Sequence, residues 1–192
     1  MDHLELAHNL WQNHLNSSDF AIDLTCGNGY DTLFLADLLK DGLVFGIDLQ
    51  QKAIEATFLK IQEYKNVALF QLAHPNLPLL PIKPKLAVYN LGYLPSGDKS
   101  ITTTAPTTIA SLDTIKDVLS LDGAISITCY PGHAAGLIEE EAVLLWAKNL
   151  AFAEWDVVHF RKLNRDRSPS LIWIKKKTSS HRPKNNQSEY LA

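Results

Sequence analysis

Asp23 closes a short apolar run, Phe20-Ala21-Ile22, and after Leu24 come Thr25, Cys26, Gly27, Asn28 and Gly29. A carboxylate at a strand end, two glycines in a tight turn and a helix-like segment opening at Tyr30 make a loop able to cradle a nucleotide cofactor. Glycine lets backbone approach a ligand where a side chain would collide. A second acid, Asp48, closes the next apolar run, Val44-Phe45-Gly46-Ile47. A carboxylate there can accept two hydrogen bonds from a ribose diol.

These groups act together only if their strands end side by side. The apolar pattern predicts strands at 20–24, 43–47, 67–72, 86–91 and 124–129. Between and before them it predicts helices at 3–16, 30–41, 50–64, about 106–121 and about 135–150. The inward faces are read as Leu33, Phe34, Ala36 and Leu38 in the second helix, and as Ala53, Ile54, Phe58 and Ile61 in the third. Alternation of strand and helix implies a mostly parallel, doubly wound α/β sheet. Two last strands, about 155–163 and 170–176, are joined only by a loop, so they pair antiparallel and leave one reversed strand near the C-terminus. Prolines at 75, 78, 81 and 84 recur every three residues, as in a polyproline II segment. The preferred reading is a rigid loop pinned to the body by Leu77, Leu79, Leu80 and Ile82.

With 192 residues, 46% hydrophobic and 20% charged, the chain suits one domain over 1–177 and a polar tail over 178–192. No apolar run has the length of a membrane span, and the start, with Asp2 and Glu5, lacks the pattern of a secretory signal. Cys26 and Cys129 are the only cysteines, which points to reduced thiols in a cytoplasmic protein and to no metal site. The net charge of −3 hides an asymmetry: residues 161–184 hold nine of the eighteen Lys and Arg, all four arginines among them, against the single acid Asp166. An acidic body with a basic edge suggests a polyanionic partner, and a solvated edge strand and tail is the alternative.

A dinucleotide fold would place a third glycine where Thr32 stands, and the Gly-Lys-Ser/Thr ending of a phosphate-binding P-loop is absent. The Asp-x-x-x-Gly-x-Gly spacing with the later Asp48 instead resembles class I S-adenosylmethionine (SAM) methyltransferases. That resemblance implies a Rossmann-like seven-stranded sheet with SAM as cofactor. It assigns Asp23, Thr25, Gly27, Asn28, Gly29, Asp31, Asp48, Gln50, His74 and Asn90 to the cofactor. A narrower likeness runs through Asp23 to Thr32, Phe45 to Gln50, Asn90-Leu91-Gly92-Tyr93-Leu94-Pro95-Ser96-Gly97-Asp98-Lys99, and Tyr130-Pro131-Gly132-His133 with Gly136 and Glu139. These blocks resemble one bacterial family long labelled rRNA methylase, which includes wobble-uridine methyltransferases of tRNA. The resemblance implies N-methylation of 5-aminomethyl-2-thiouridine at the wobble position to its methylaminomethyl form. Asn90-Leu91-Gly92-Tyr93 is also similar to the Asn/Asp-Pro-Pro-Tyr motif of amino-methyltransferases, with both prolines replaced. By that likeness Asn90 orients the target amine and Tyr93 stacks on the base, while Asp98 and His133 are candidate proton acceptors. Lys99, Arg161, Arg165 and Arg167 would hold a tRNA anticodon stem-loop, with the protein as monomer or homodimer. The rival readings are an rRNA or small-molecule methyltransferase on the same fold, a non-catalytic SAM- or RNA-binding module, and an NAD-dependent oxidoreductase, which the missing third glycine disfavours.

Overall fold

The computed structural model describes residues 2–92 and 103–178. Five strands run parallel: β1 (Phe20–Asp23), β2 (Leu43–Asp48), β3 (Val67–Gln71), β4 (Leu86–Asn90) and β5 (Ala124–Cys129). β7 (Ser170–Lys176) is antiparallel both to β5 and to β6 (Trp155–Phe160), so β7 is the one reversed strand. The sheet order is β3-β2-β1-β4-β5-β7-β6. β1 and β5 are buried along their whole length and β4 up to Asn90, as expected of parallel strands covered on both faces.

One face is covered by α1 (His3–His14) and α2 (Tyr30–Leu38), through Ala7, Trp11, Leu35 and Leu39, with α3 (Gln51–Ile61) beside α2. The other face carries α4 (Ala105–Val118) and α5 (Ala134–Lys148), through Leu112, Ile115, Val143 and Ala147. Asp2 caps α1 in a box with Glu5, and Thr104 caps α4 with Thr107.

The inward faces of two helices differ from the expected ones. In α2 the fully buried residues are Thr32, Leu35 and Ala36, and in α3 they are Ala53, Thr57 and Ile61, while Phe58 faces solvent. In both, a threonine takes an interior position because its hydroxyl finds a partner, Asp23 for Thr32 and the Gly27 carbonyl for Thr57. Apolarity alone does not reveal that. In the proline segment Leu77 and Leu80 pack on the core, but Leu79 and Ile82 are exposed. β6 stops at Phe160, short of the expected 163.

The chain leaves β1 toward β2 and β3 on one side and returns through β4 toward β5 on the other. The carboxyl ends of β1 and β4 therefore flank the switch point of the sheet, where ligands bind in such folds.

Candidate active site

A cleft of about 830 Å³ opens at that switch point. Its floor is the turn after β1 (Thr25, Cys26, Gly27, Asn28) and the end of β4 (Asn90, Leu91, Gly92). Asp48 and Gln50 close one side, His74 follows from β3, and Tyr130, Gly132 and His133 come from the end of β5. This size suits a nucleoside-sized ligand.

The two glycines of the turn do different work. Gly27 lines the cleft with φ +53°. Gly29, at φ +80°, lies off the cleft wall, and a Cβ there would stand 2.7 Å from Thr57 Cα. Its glycine is needed for α2 to start against α3, not for ligand approach. Asp48 accepts hydrogen bonds from Gly27 N–H (3.0 Å) and Gln50 N–H (2.9 Å), one on each oxygen. Each oxygen thus keeps a lone pair, which is what a ribose diol requires.

Asp23 departs from the expected cofactor contact: it is buried beneath the turn and off the cleft wall. It accepts from Thr32 Oγ1 (2.7 Å) and Thr25 N–H (3.2 Å), tying the strand end to the turn and to α2. Burial, and then the charge of Asp31, push its pKa up to about 7. A raised native pKa means the folded protein holds a proton that the unfolded chain releases. This contribution to stability is full below about pH 3.8 and is lost as pH rises through about 7. Asp23→Asn is accordingly expected to flatten the dependence of denaturation midpoint on pH between about 4 and 7. Chemical denaturation across that range measures it, and a slope equal to that of the parent protein would place the titration elsewhere.

Asn90 is held at both ends of its amide. Its Nδ2 donates to Asp31 (2.5 Å) and its Oδ1 accepts from the Tyr130 hydroxyl (3.0 Å). Its backbone N–H donates to Thr25 Oγ1 (2.6 Å), so this threonine ties the two switch-point strands together. Asp31 also accepts from His8 Nε2 of α1 (2.7 Å), and that imidazole stacks on Phe34. Gly92 pairs with Thr103 through both N–H···Oγ1 (2.8 Å) and C=O···H–N (3.2 Å), and Thr103 Oγ1 donates to buried Glu139 (2.8 Å). The base of the connection between β4 and α4 is thus anchored on α5. His133 caps α5, its Nδ1 accepting from Gly136 N–H (3.1 Å). A Cβ on Gly136 would come within 2.2 Å of the Tyr130 carbonyl, so glycine there is what lets α5 start so close to the cleft.

His74 lines the cleft. Its Nδ1 is buried without a partner among the described residues, and burial lowers its pKa to about 4, keeping the ring neutral. A neutral imidazole at the cleft wall suits packing against a heterocycle. With the two open lone pairs of Asp48, this makes the cleft fit an adenosyl group.

The basic run does not form one surface. Arg161, Arg165 and Arg167 lie exposed beyond β6, at the same end of the sheet as the cleft, and only Arg167 reaches the cleft lining. Arg167 has φ +55°, a strained conformation for a side-chain-bearing residue, of the kind that clusters at functional sites. Lys175, Lys176 and Lys177 lie at the far end of β7, roughly 20 Å away at strand rise. Two of them are paired there, Lys175 with Asp122 and Lys177 with Asp156. Strand reversal therefore splits what reads as one charge block.

Of the residues expected at the site, Thr25, Gly27, Asn28, Asp31, Asp48, Gln50, His74, Asn90, His133 and Arg167 line the cleft. Tyr93, Asp98 and Lys99 lie outside the described residues, as does the tail from 179. Sequence reading missed His8, Tyr130 and the anchoring pair Thr103–Glu139. Tyr130 and Glu139 sit inside the quoted family blocks, which was their one signal. His8 carried none, because its partner Asp31 is 23 residues away.

Comparison with known proteins agrees with this geometry. The family model described as "Putative rRNA methylase" matches residues 44–176. An Arabidopsis thaliana protein named tRNA (mnm(5)s(2)U34)-methyltransferase, chloroplastic, is 34% identical over 188 residues, covering 90% of this chain and 69% of its own. A crystal structure from Clostridium thermocellum with the same rRNA-methylase description is 35% identical, with a TM-score of 0.88 over 92% of this chain and 98% of that one. A Streptococcus mutans protein described as "a putative methyltransferase" in complex with SAH is 33% identical, with a TM-score of 0.84 over the same shares. No helix among the described residues is long and apolar enough to cross a membrane. With the cleft at the switch point, the Asp48 and glycine turn that fit an adenosyl group, and a family match over most of its length, the chain belongs to this rRNA-methylase family and is a SAM-dependent methyltransferase.

Proposed function

We propose that the chain is an N-methyltransferase of tRNA that converts 5-aminomethyl-2-thiouridine at the wobble position to 5-methylaminomethyl-2-thiouridine. The observation that carries this reading is the Asn90 amide, fixed on the cleft floor with one lone pair of Oδ1 uncommitted. An amine offers only donors to such an acceptor, so Oδ1 holds the nitrogen at the carboxyl end of β4. The curated relative's name supports the substrate class.

Bound SAM supplies an electrophilic methyl group. The residues of the chain bind, orient and exclude water. Asp48 would accept the ribose hydroxyls, Gly27 and Asn28 would form the cradle, and His74 would lie beside the adenine. Asn90 turns the amine lone pair inward. The amine arrives largely protonated at neutral pH, and an acceptor near it favours loss of that proton. His133 spends Nδ1 on the Gly136 N–H, so that nitrogen is not available as the acceptor.

The rim arginines suit RNA phosphates. Arg165→Ala and Arg167→Ala are each expected to weaken tRNA binding severalfold at low salt and to lower the salt slope by about one, with SAM affinity unchanged. Unchanged tRNA affinity in both variants would remove the loop from the interface. The substrate is tested by incubating the protein with labelled SAM and tRNA bearing the aminomethyl wobble uridine, then digesting to nucleosides for mass spectrometry. The reading predicts the methylaminomethyl nucleoside. Methyl incorporation into rRNA alone, or into none of these, would contradict it.

A further inference from the structure

A terminal amide has two faces that differ only by a half-turn. One presents an acceptor to the cleft and the other presents two donors. A substrate amine donates to the first and keeps its lone pair free for attack, whereas the second would engage that lone pair and block it. Something must therefore specify the half-turn of Asn90. Asp31 is an acceptor-only carboxylate and fixes the Nδ2 side. The other side is fixed by Tyr130, which burial keeps protonated by raising its pKa to about 12. Tyr130 Oη is also 3.2 Å from His3 Nε2, and the His3 ring stands edge-on to it. The single phenolic proton goes to Asn90, so the ring N–H of His3 is the donor in that contact. The N-terminal helix thus touches both clamps, His3 on Tyr130 and His8 on Asp31.

We propose that Tyr130, backed by His3, is a positioning residue that sets the Asn90 amide with its carbonyl oxygen toward the substrate amine, and that α1 is for this reason part of the active site. The proposal rests on the amine-binding role of Asn90 given above. It extends the catalytic constellation to an element that carries no methyltransferase motif. Neither Tyr130 nor His3 has to touch the reacting atoms.

The test is a double-mutant cycle with Asn90. Tyr130→Phe removes one oxygen and keeps the ring, and it is expected to lower kcat about tenfold to a hundredfold with SAM affinity unchanged. In an Asn90→Ala background the same change is expected to cost less than about threefold, because the group it positions is gone. Equal losses in both backgrounds, or a loss confined to SAM binding, would overturn the proposal. His3→Leu should act in the same direction as Tyr130→Phe and by less. A second readout needs no substrate: solvent exchange of the Asn90 side-chain amide protons, followed by NMR, should be about tenfold faster in Tyr130→Phe, and an unchanged rate would contradict the clamp. Faster amide exchange in a protein that methylates no tRNA would leave the clamp standing and reject the substrate reading instead.

Discussion

Asp48→Ala is expected to raise the SAM dissociation constant about a hundredfold, the largest effect on cofactor binding of any single substitution considered. Two hydrogen bonds from ribose hydroxyls to a charged acceptor are each worth about 1.5 kcal/mol or more, and about 2.7 kcal/mol is a hundredfold. Asp48 also accepts the N–H of Gly27 and of Gln50, so its removal frees the turn after β1 from the start of α3. Both losses act on the same affinity. Asp48→Asn keeps the shape but turns one acceptor into a donor facing an N–H, and it should fall between parent and alanine variant. Calorimetry measures all three. A dissociation constant within about threefold of the parent for Asp48→Ala would take the ribose away from this carboxylate.

The second large effect is on turnover. Asn90→Ala is expected to lower kcat about a hundredfold or more, with SAM affinity changed by no more than a few fold. Displacing a reacting nitrogen by about 1 Å costs a rate factor of that order. The Asn90 side chain is tied to Asp31 and Tyr130 rather than to the turn that cradles the cofactor. The link to that turn runs from the Asn90 backbone N–H to Thr25 Oγ1, and alanine retains it. Single-turnover methylation with labelled SAM separates the two effects. Loss of SAM binding in step with turnover would make Asn90 a cofactor residue and not an amine acceptor.

Much of this architecture was legible in the chain. Parallel strands buried on both faces read as apolar runs, so β1, β2 and β4 stand out, and the acids that end β1 and β2 mark their carboxyl ends. The reversed β7 follows from the lack of a helix between 160 and 170. What stayed hidden depends on partners distant in sequence. Thr32 and Thr57 look polar and are interior, because their partners arrive from other elements. Asp23 looks like a ligand contact and is a buried strut, since the turn it organises lies over it. The basic run looks continuous and is cut in two, because β7 carries its termini to opposite ends of the sheet. Nothing near His3 and His8 in the sequence names their partners; docking of α1 through Trp11 and Ala7 brings them to Tyr130 and Asp31.

One cleft carries the whole account, and a crystal structure of the protein with SAM or its demethylated product tests it most directly. The expected result is a nucleoside whose ribose hydroxyls lie about 3 Å from both Asp48 oxygens, with the sulfur facing Asn90. A nucleoside bound away from the ends of β1 and β4, or one whose ribose leaves Asp48 untouched, would contradict it.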